Sequence, residues 1–205
     1  MLNYYILVYM LSYNDLINNL KNKIITIGEY KIRSLDTSDS KSNFFNLFEV
    51  FDPDVSKNAK NAENAENAEN FFNFYENYTQ NISKIIYVME KITSVPGTET
   101  ETDTDTTTIK NLLGTISLII EQKPFRNLQY IIHIEDVIIN KNEKSGGLGK
   151  MMLQKIINMI NSFNQPNTVF YKIILDCSKS NEGFYLKNGF ENKGVYMGLY
   201  FINKL

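Results

Sequence analysis

Tryptophan is missing from the chain, and cysteine and histidine each occur once, as Cys177 and His133. One thiol cannot build a disulfide framework, and one thiol with one imidazole disfavours a Cys/His zinc cluster and most histidine-activated nucleophiles. No metal site is expected, and chemistry has to run on carboxylates, tyrosines, lysines or backbone. His133 is read as structural, and Cys177, at a strand end, as a small buried hydrophobe. Excess charge of one sign is also lacking: the formal net charge is −2 and the basic residues are spread along the sequence. No counterion-release footprint for nucleic acid or an acidic membrane is present, so neither partner is expected. Long apolar runs are absent too. Residues 1–12 are mostly apolar but too short to span a bilayer, and they lack a basic n-region and a small-residue cleavage site. They read as a packed or poorly ordered extension, with a targeting signal as the second reading. No stable membrane insertion is expected, and the single cysteine favours a reducing, cytoplasmic compartment.

What is present is enough for one core. The chain has 205 residues, of which 43% are hydrophobic, and that length favours one domain. The expected layout is an N-terminal extension over 1–28 and one domain over 29–205, interrupted by low-complexity insertions at about 53–70 and 96–109. The first insertion repeats Asn-Ala-Lys and Asn-Ala-Glu from Asn58 to Asn70, a three-residue period that gives a helix no apolar face. The second alternates threonine with acids from Thr98 to Thr108 and cannot bury enough surface to order itself.

The remainder alternates helical and extended patterns. The spacing predicts strands at 29–35, 84–92, 111–122, 130–140, 169–177 and 195–202, with 84–92 and 111–122 as the arms of a hairpin. Aromatic helices are predicted at 40–52, stopped by Pro53, and at 70–78. A longer helix opens out of a glycine-rich loop and aligns Leu148, Met151, Met152, Ile156, Met159, Ile160 and Phe163 on one stripe. A short helix at 181–188 ends at Gly189. The class is mixed α/β, and 130–177 forms a βαβ unit with a right-handed crossover.

Between the strand and the long helix of that unit lies "NEKSGGLGKMML" (142–153), with three glycines in four positions. A loop of little side-chain volume that opens into a helix presents bare N–H groups and the positive end of the helix dipole, so its expected guest is an anion. The first glycine of G-x-G-x-x-G is missing and no acidic residue ends a following strand in the usual register, which argues against a dinucleotide fold.

"HIEDVIINKNEKSGGLGKMML" followed by "YKIILDCSKSNEGFYLKNGF" resembles the two signature segments of the GNAT acyltransferase superfamily. Within it, "GTISLIIEQK", "IEDV" and "GFYLKNGF" at these spacings resemble the glucosamine-6-phosphate N-acetyltransferases, over about Lys84 to Phe201. The resemblance implies the GNAT fold: a central, mostly antiparallel twisted sheet flanked by helices. It implies acetyl-CoA as cosubstrate, D-glucosamine 6-phosphate as acceptor, direct attack of the amine on the thioester, and a step toward UDP-N-acetylglucosamine. A peptide or protein N-acetyltransferase of the same superfamily and a non-catalytic acyl-CoA-binding protein remain the other readings.

By the same resemblance, Lys144, Ser145, Gly146, Gly147, Leu148, Gly149 and Lys150 cradle the pyrophosphate. Relatives usually carry Arg or Gln at the place of Lys144 and often Gly at that of Ser145. Val137, Ile138 and Ile139 supply backbone N–H groups to the developing oxyanion and pair with the pantetheine arm. Asn181 and Lys187 complete the cofactor side. Tyr185 faces the cofactor sulfur. A phenol near pKa ~10 is a weaker acid than a thiol near ~8.5, so thiolate stabilisation ranks ahead of proton donation.

Glu135 and Asp136 border the amino sugar and steer its amine. A regular pleat would send these neighbours to opposite faces, leaving one to address the substrate, whereas a bulge would relax that limit. Lys123, Arg126, Tyr171, Lys172 and Asp176 are the further substrate-side candidates. Tyr171 and Lys172 match positions that reach the substrate from a partner subunit. Relatives carry an arginine near the C-terminus where this chain has Leu199 or Tyr200. A homodimer is implied, with 195–202 as its interface strand.

Overall fold

In the computed structural model, the described residues are 12–36, 39, 41–50, 73, 76–77, 83–92, 111–126, 128–164, 169–199 and 201, without the side chains of 41–43, 49–50, 144 and 145. Both low-complexity insertions and nearly all of the aromatic segment predicted as a helix at 70–78 lie outside them.

A six-stranded sheet in simple order organises the described residues: β1 (Ile25–Ile27), β2 (Tyr30–Ser34), β3 (Lys84–Lys91), β4 (Leu112–Gln122), β5 (Tyr130–Ile139) and β6 (Phe170–Leu175). Neighbours are antiparallel except β5 and β6, which run parallel. The hairpin and the parallel pair thus form where the apolar patterns predict them. Parallel strands need a long crossover, and α3 (Leu148–Phe163) provides it.

Period 2 divides the core by face. Ile85, Tyr87, Met89, Ile116, Leu118, Ile120, Ile132 and Ile134 pack beneath α1 (Tyr13–Lys21) and α3. Ile86, Val88 and Ile138 face the other way, under Phe44, Phe45 and Leu47 of α2 (Lys41–Asn46) and the 3₁₀ turn Leu47–Val50. The stripe on α3 is close to the expected one: Leu148, Met152, Ile156, Met159 and Ile160 are buried, Leu153 joins them, and Met151 and Phe163 are half-buried.

Two expectations need correction. Residues up to 28 read as an extension, yet α1 and β1 belong to the fold, with Leu16, Ile17 and Leu20 within the main core. Ser12 caps α1 by accepting from the Asp15 amide at 3.1 Å, and the buried Tyr87 hydroxyl donates to the Leu20 carbonyl at 2.7 Å. An apolar stripe two turns long is easily lost beside the more apolar run that precedes it.

The second correction concerns 195–202. Residues 190–199 belong to no strand or helix, and Val195, Met197, Leu199 and Phe201 are 81–92% exposed. A strand needs a ladder partner, and none lies within the described residues of one chain. β6 is left at the edge of the sheet.

Buried charge pins β2 to β3. The Arg33 guanidinium donates to both Asp39 carboxylate oxygens, at 2.6 and 2.7 Å, and to both Glu90 oxygens, at 2.8 and 3.0 Å. All three residues are less than 9% exposed. Burial disfavours the cation, but the bonds to Asp39 and Glu90 outweigh it and hold Arg33 above its ordinary pKa.

Candidate active site

The site begins where β5 outruns β6. Their pairing ends at Ile134 with Leu175, while β5 continues to Ile139. From Glu135 onward no described strand pairs with β5 on that side, so its backbone can accept an extended ligand as a further strand. Val137, Ile138 and Ile139 occupy this stretch.

Opposite, the register with β4 slips: Thr115 pairs with Ile138, but Ser117 pairs with Glu135. Ile116 therefore faces two residues, Asp136 and Val137. This is a bulge, and Asp136 adopts φ +50°, a left-handed conformation in which aspartate is tolerated at a modest cost. Ser117 is the cross-strand partner of Glu135 and also donates its hydroxyl proton to Asp136 Oδ2 at 2.8 Å. Both neighbouring carboxylates are thus drawn to one face, the face α2 covers. Lys84 Nζ lies 3.4 Å from the same oxygen. Glu135 is exposed and Asp136 half-buried.

β5 leads into the glycine loop. Asn140 donates its amide proton to the Leu113 carbonyl at 2.7 Å and accepts the Asn142 amide on its side chain at 3.0 Å, starting a 3₁₀ turn over Lys141–Gly146. Gly147 follows at φ +69° as the N-cap of α3; a left-handed cap leaves only glycine unstrained. A Cβ there would meet nothing within 4 Å, so the loop backbone faces open space. At Gly149 a Cβ would lie 3.4 Å from Ile139 Cγ1 and 3.9 Å from Phe184, which holds the helix start against β5 and α4 (Glu182–Leu186). No acid occupies the first turn of α3. These residues suit a polyphosphate: the N–H groups that open a helix, a favourable dipole and no acid in the helix's first turn. The backbone of Lys144, Ser145 and Gly146 forms the turn, Leu148 is buried, and Lys150 is exposed.

Tyr185 projects from α4, half-buried and edge-on to Phe184 and Phe190 at centroid distances of 5.1 and 5.8 Å. Burial, and secondarily Cys177, raises its pKa, so the phenol keeps its proton at neutral pH. Asn181 precedes α4 and its carbonyl accepts from Phe184 at 3.0 Å; Lys187 closes the helix and is exposed. Cys177, expected to be buried, is exposed just past β6. Asp176 is exposed beside it, one residue beyond the last β5–β6 pair and so level with Glu135.

The cationic candidates gather elsewhere. Arg126 stacks over the Tyr171 ring at 4.7 Å, and Lys172 Nζ lies 5.7 Å from the same ring. Lys123 pairs with Glu121. Lys172 is level with Ile131; Asp136 lies five residues further along β5, roughly 16 Å at strand rise. Within one chain these cations and the acid pair stand at opposite ends of β5. Sequence reasoning passed over Lys84 and Ser117; the only signal was their placement on facing strands, which needs the register.

No protein-family model matches the chain. A predicted acetyltransferase from Clostridium acetobutylicum, crystallised with acetyl-CoA, shares the fold: TM-score 0.53 over 83% of this chain and 96% of that one, at 15% identity. Glucosamine-6-phosphate N-acetyltransferase from Arabidopsis thaliana superposes at TM-score 0.60 over 84% of this chain and 99% of that one, at 28% identity. A sheet split beside a glycine-capped helix, with these neighbours, defines an acetyltransferase of the GNAT class. In sequence, the chain is 38% identical to glucosamine 6-phosphate N-acetyltransferase of Schizosaccharomyces pombe over 90 residues, 44% of this chain and 77% of that protein. The chain belongs to the glucosamine 6-phosphate N-acetyltransferase family.

Proposed function

We propose that this chain transfers the acetyl group of acetyl-CoA to the amine of D-glucosamine 6-phosphate, releasing coenzyme A and N-acetyl-D-glucosamine 6-phosphate. One observation carries the reading beyond family membership: the unpaired edge of Val137, Ile138 and Ile139 runs directly into the Gly147 cap of α3. A thioester held along that edge has its phosphates at the N-terminus of α3 and its acyl carbonyl beside backbone donors.

The neutral amine attacks the carbonyl carbon, the C–N bond forms and the C–S bond breaks, the sulfur leaves as thiolate, and the proton shed by the nitrogen goes to solvent, from which the thiolate is reprotonated to coenzyme A. Lys144 to Lys150, with Asn181 and Lys187, hold the cofactor. Backbone N–H of Val137 to Ile139 meets the oxyanion. Protonated Tyr185 donates a hydrogen bond to the departing sulfur, and Glu135 and Asp136, sharing one face, take the amine side with Asp176 nearby. No metal is needed for this sequence, and among the described residues no cluster of His, Cys, Asp and Glu could hold one.

The phosphate is assigned to Tyr171 and Lys172 with Lys123 and Arg126, supplied by a second copy. Support comes from the distance between these groups and the acid pair in one chain, and from the exposure of residues 195–199 and Phe201. A cavity of about 940 Å³ lies between β6 and residues 189–196, lined by Ile173, Leu175, Asn188, Phe190 and Tyr196, and it leaves room for an added strand. Among the described residues no helix is long and apolar enough to cross a membrane.

The test is thiol release with acetyl-CoA and, in turn, glucosamine 6-phosphate, glucosamine and a lysine peptide. Turnover with the sugar phosphate is expected; turnover with the peptide alone would reject the assignment. Light scattering is expected to give twice the chain mass, falling to one when 195–205 is deleted; a monomeric full-length chain would refute the dimer.

A further inference from the structure

The bulge at Asp136 costs energy and is held from two sides. Three strands contribute: Lys84 from β3, Ser117 from β4 and Asp136 from β5. Ser117 and Lys84 approach a single atom, Asp136 Oδ2, at 2.8 and 3.4 Å. The side chains of Lys84 and Asp136 are only 15% and 24% exposed, so the pair is better shielded than an ordinary surface contact.

Two donors on one oxygen fix the rotation of the carboxylate, and a left-handed backbone at this position persists only where the surroundings determine it. An amine reacts only when its lone pair points at the carbonyl carbon, so a fixed carboxylate that binds its N–H bonds orients the attack. The local fold alone does not require this arrangement. Lys84 is the first residue of β3, paired with Ile119, where an uncharged side chain would maintain the same ladder.

We infer that Lys84 and Ser117 are positioning residues for the acceptor amine, acting through Asp136. The inference rests on the proposed function, in which Asp136 lies on the amine side.

The experiment is a mutant cycle on the full-length chain with Lys84→Met, Ser117→Ala and Asp136→Asn, each single change and each paired with Asp136→Asn. The reading is kcat/KM for glucosamine 6-phosphate at saturating acetyl-CoA, by thiol release. Asp136→Asn is expected to lose about 100-fold, the size of effect that follows from misplacing a reacting group. Lys84→Met should lose about tenfold and Ser117→Ala about fivefold, within the range of couplings between touching residues. In the Asp136→Asn background both effects should shrink below about twofold, because the group they act through is gone. KM for acetyl-CoA should stay within about twofold throughout, and Lys84→Arg should recover most of the loss, since it keeps the cation. A lysine effect that persists undiminished without Asp136, or one that appears only as a lower melting temperature, would overturn the inference. If Lys84→Met does not fold, the Ser117→Ala and Lys84→Arg cycles decide the same question. Active wild type with additive cycles defeats the inference alone. Wild type without thiol release defeats the proposed function and the inference together.

Discussion

Alanine at Gly114 tests the link between sheet packing and the cofactor edge. Gly114 lies in β4 opposite Ile139, and a Cβ there would stand 2.5 Å from Ile139 Cδ1 and 2.7 Å from the Ile138 carbonyl oxygen. The first clash involves the tip of a flexible side chain and can be relieved by rotation. The second is with backbone, and the strands must part by about 0.6 Å to reach an ordinary C···O separation. Overpacking of this kind costs about 1–3 kcal/mol, which in a chain of this size lowers the melting temperature by about 2–12 °C. The displaced groups are those proposed to pair with the pantetheine arm, so part of the strain should appear in binding. We expect the Kd for acetyl-CoA to rise about tenfold, equivalent to about 1.4 kcal/mol. Calorimetric titration with acetyl-CoA, beside a thermal melt, gives both numbers. Wild-type affinity and an unchanged melt in Gly114→Ala would show that β4 and β5 do not approach this closely at Gly114, and the reasoning from their spacing would fail.

Arg33→Leu leaves Asp39 and Glu90 buried without their shared cation, and a loss of about 3–5 kcal/mol is expected; urea denaturation that moves by under about 1 kcal/mol would contradict the buried network. Tyr185→Phe removes one hydrogen bond to a charged leaving group, worth about 1.5–3 kcal/mol, and should lower kcat about 10–100-fold with acetyl-CoA affinity nearly constant; an unchanged kcat removes Tyr185 from the reaction. Alkali supplies a further test. Burial raises the pKa of Tyr13, Tyr87, Tyr130 and Tyr185. The folded chain therefore keeps these protons where unfolded phenols, near ~10, release them. Their contribution to stability is complete below about pH 10 and declines as pH rises further. Urea midpoints that stay level between about pH 9 and pH 11.5 would rule this out.

The elements legible in the sequence are those whose apolar period is long and undisturbed. β3, β4, β5 and α3 each span at least eight residues with nearly unbroken patterning, and the glycine cluster announces its own conformational need at Gly147. α1 was missed because its three buried residues stand beside a longer apolar run that draws the eye. The tail at 195–201 looked like a strand because its composition suits one, yet composition cannot supply a ladder partner. In the site, the adjacency of Glu135 and Asp136 foretells only that a bulge would be useful there. That Lys84 and Ser117 converge on Asp136 depends on the pairing of three strands separated by up to 52 residues, and no local pattern carries that information.

One surplus residue in β5 decides which way its acid pair faces. Deleting Asp136 or Val137 would restore regular pairing with β4 and leave Ile138 opposite Thr115 and Ile139 opposite Gly114, so the glycine loop would keep its place while the left-handed turn between the acid pair and the helix cap was lost. A substitution here changes one side chain, but a change in length removes the bulge that brings Glu135 and Asp136 to one face. Over evolutionary time this stretch should therefore accept exchanges of residue type far more readily than insertions or deletions.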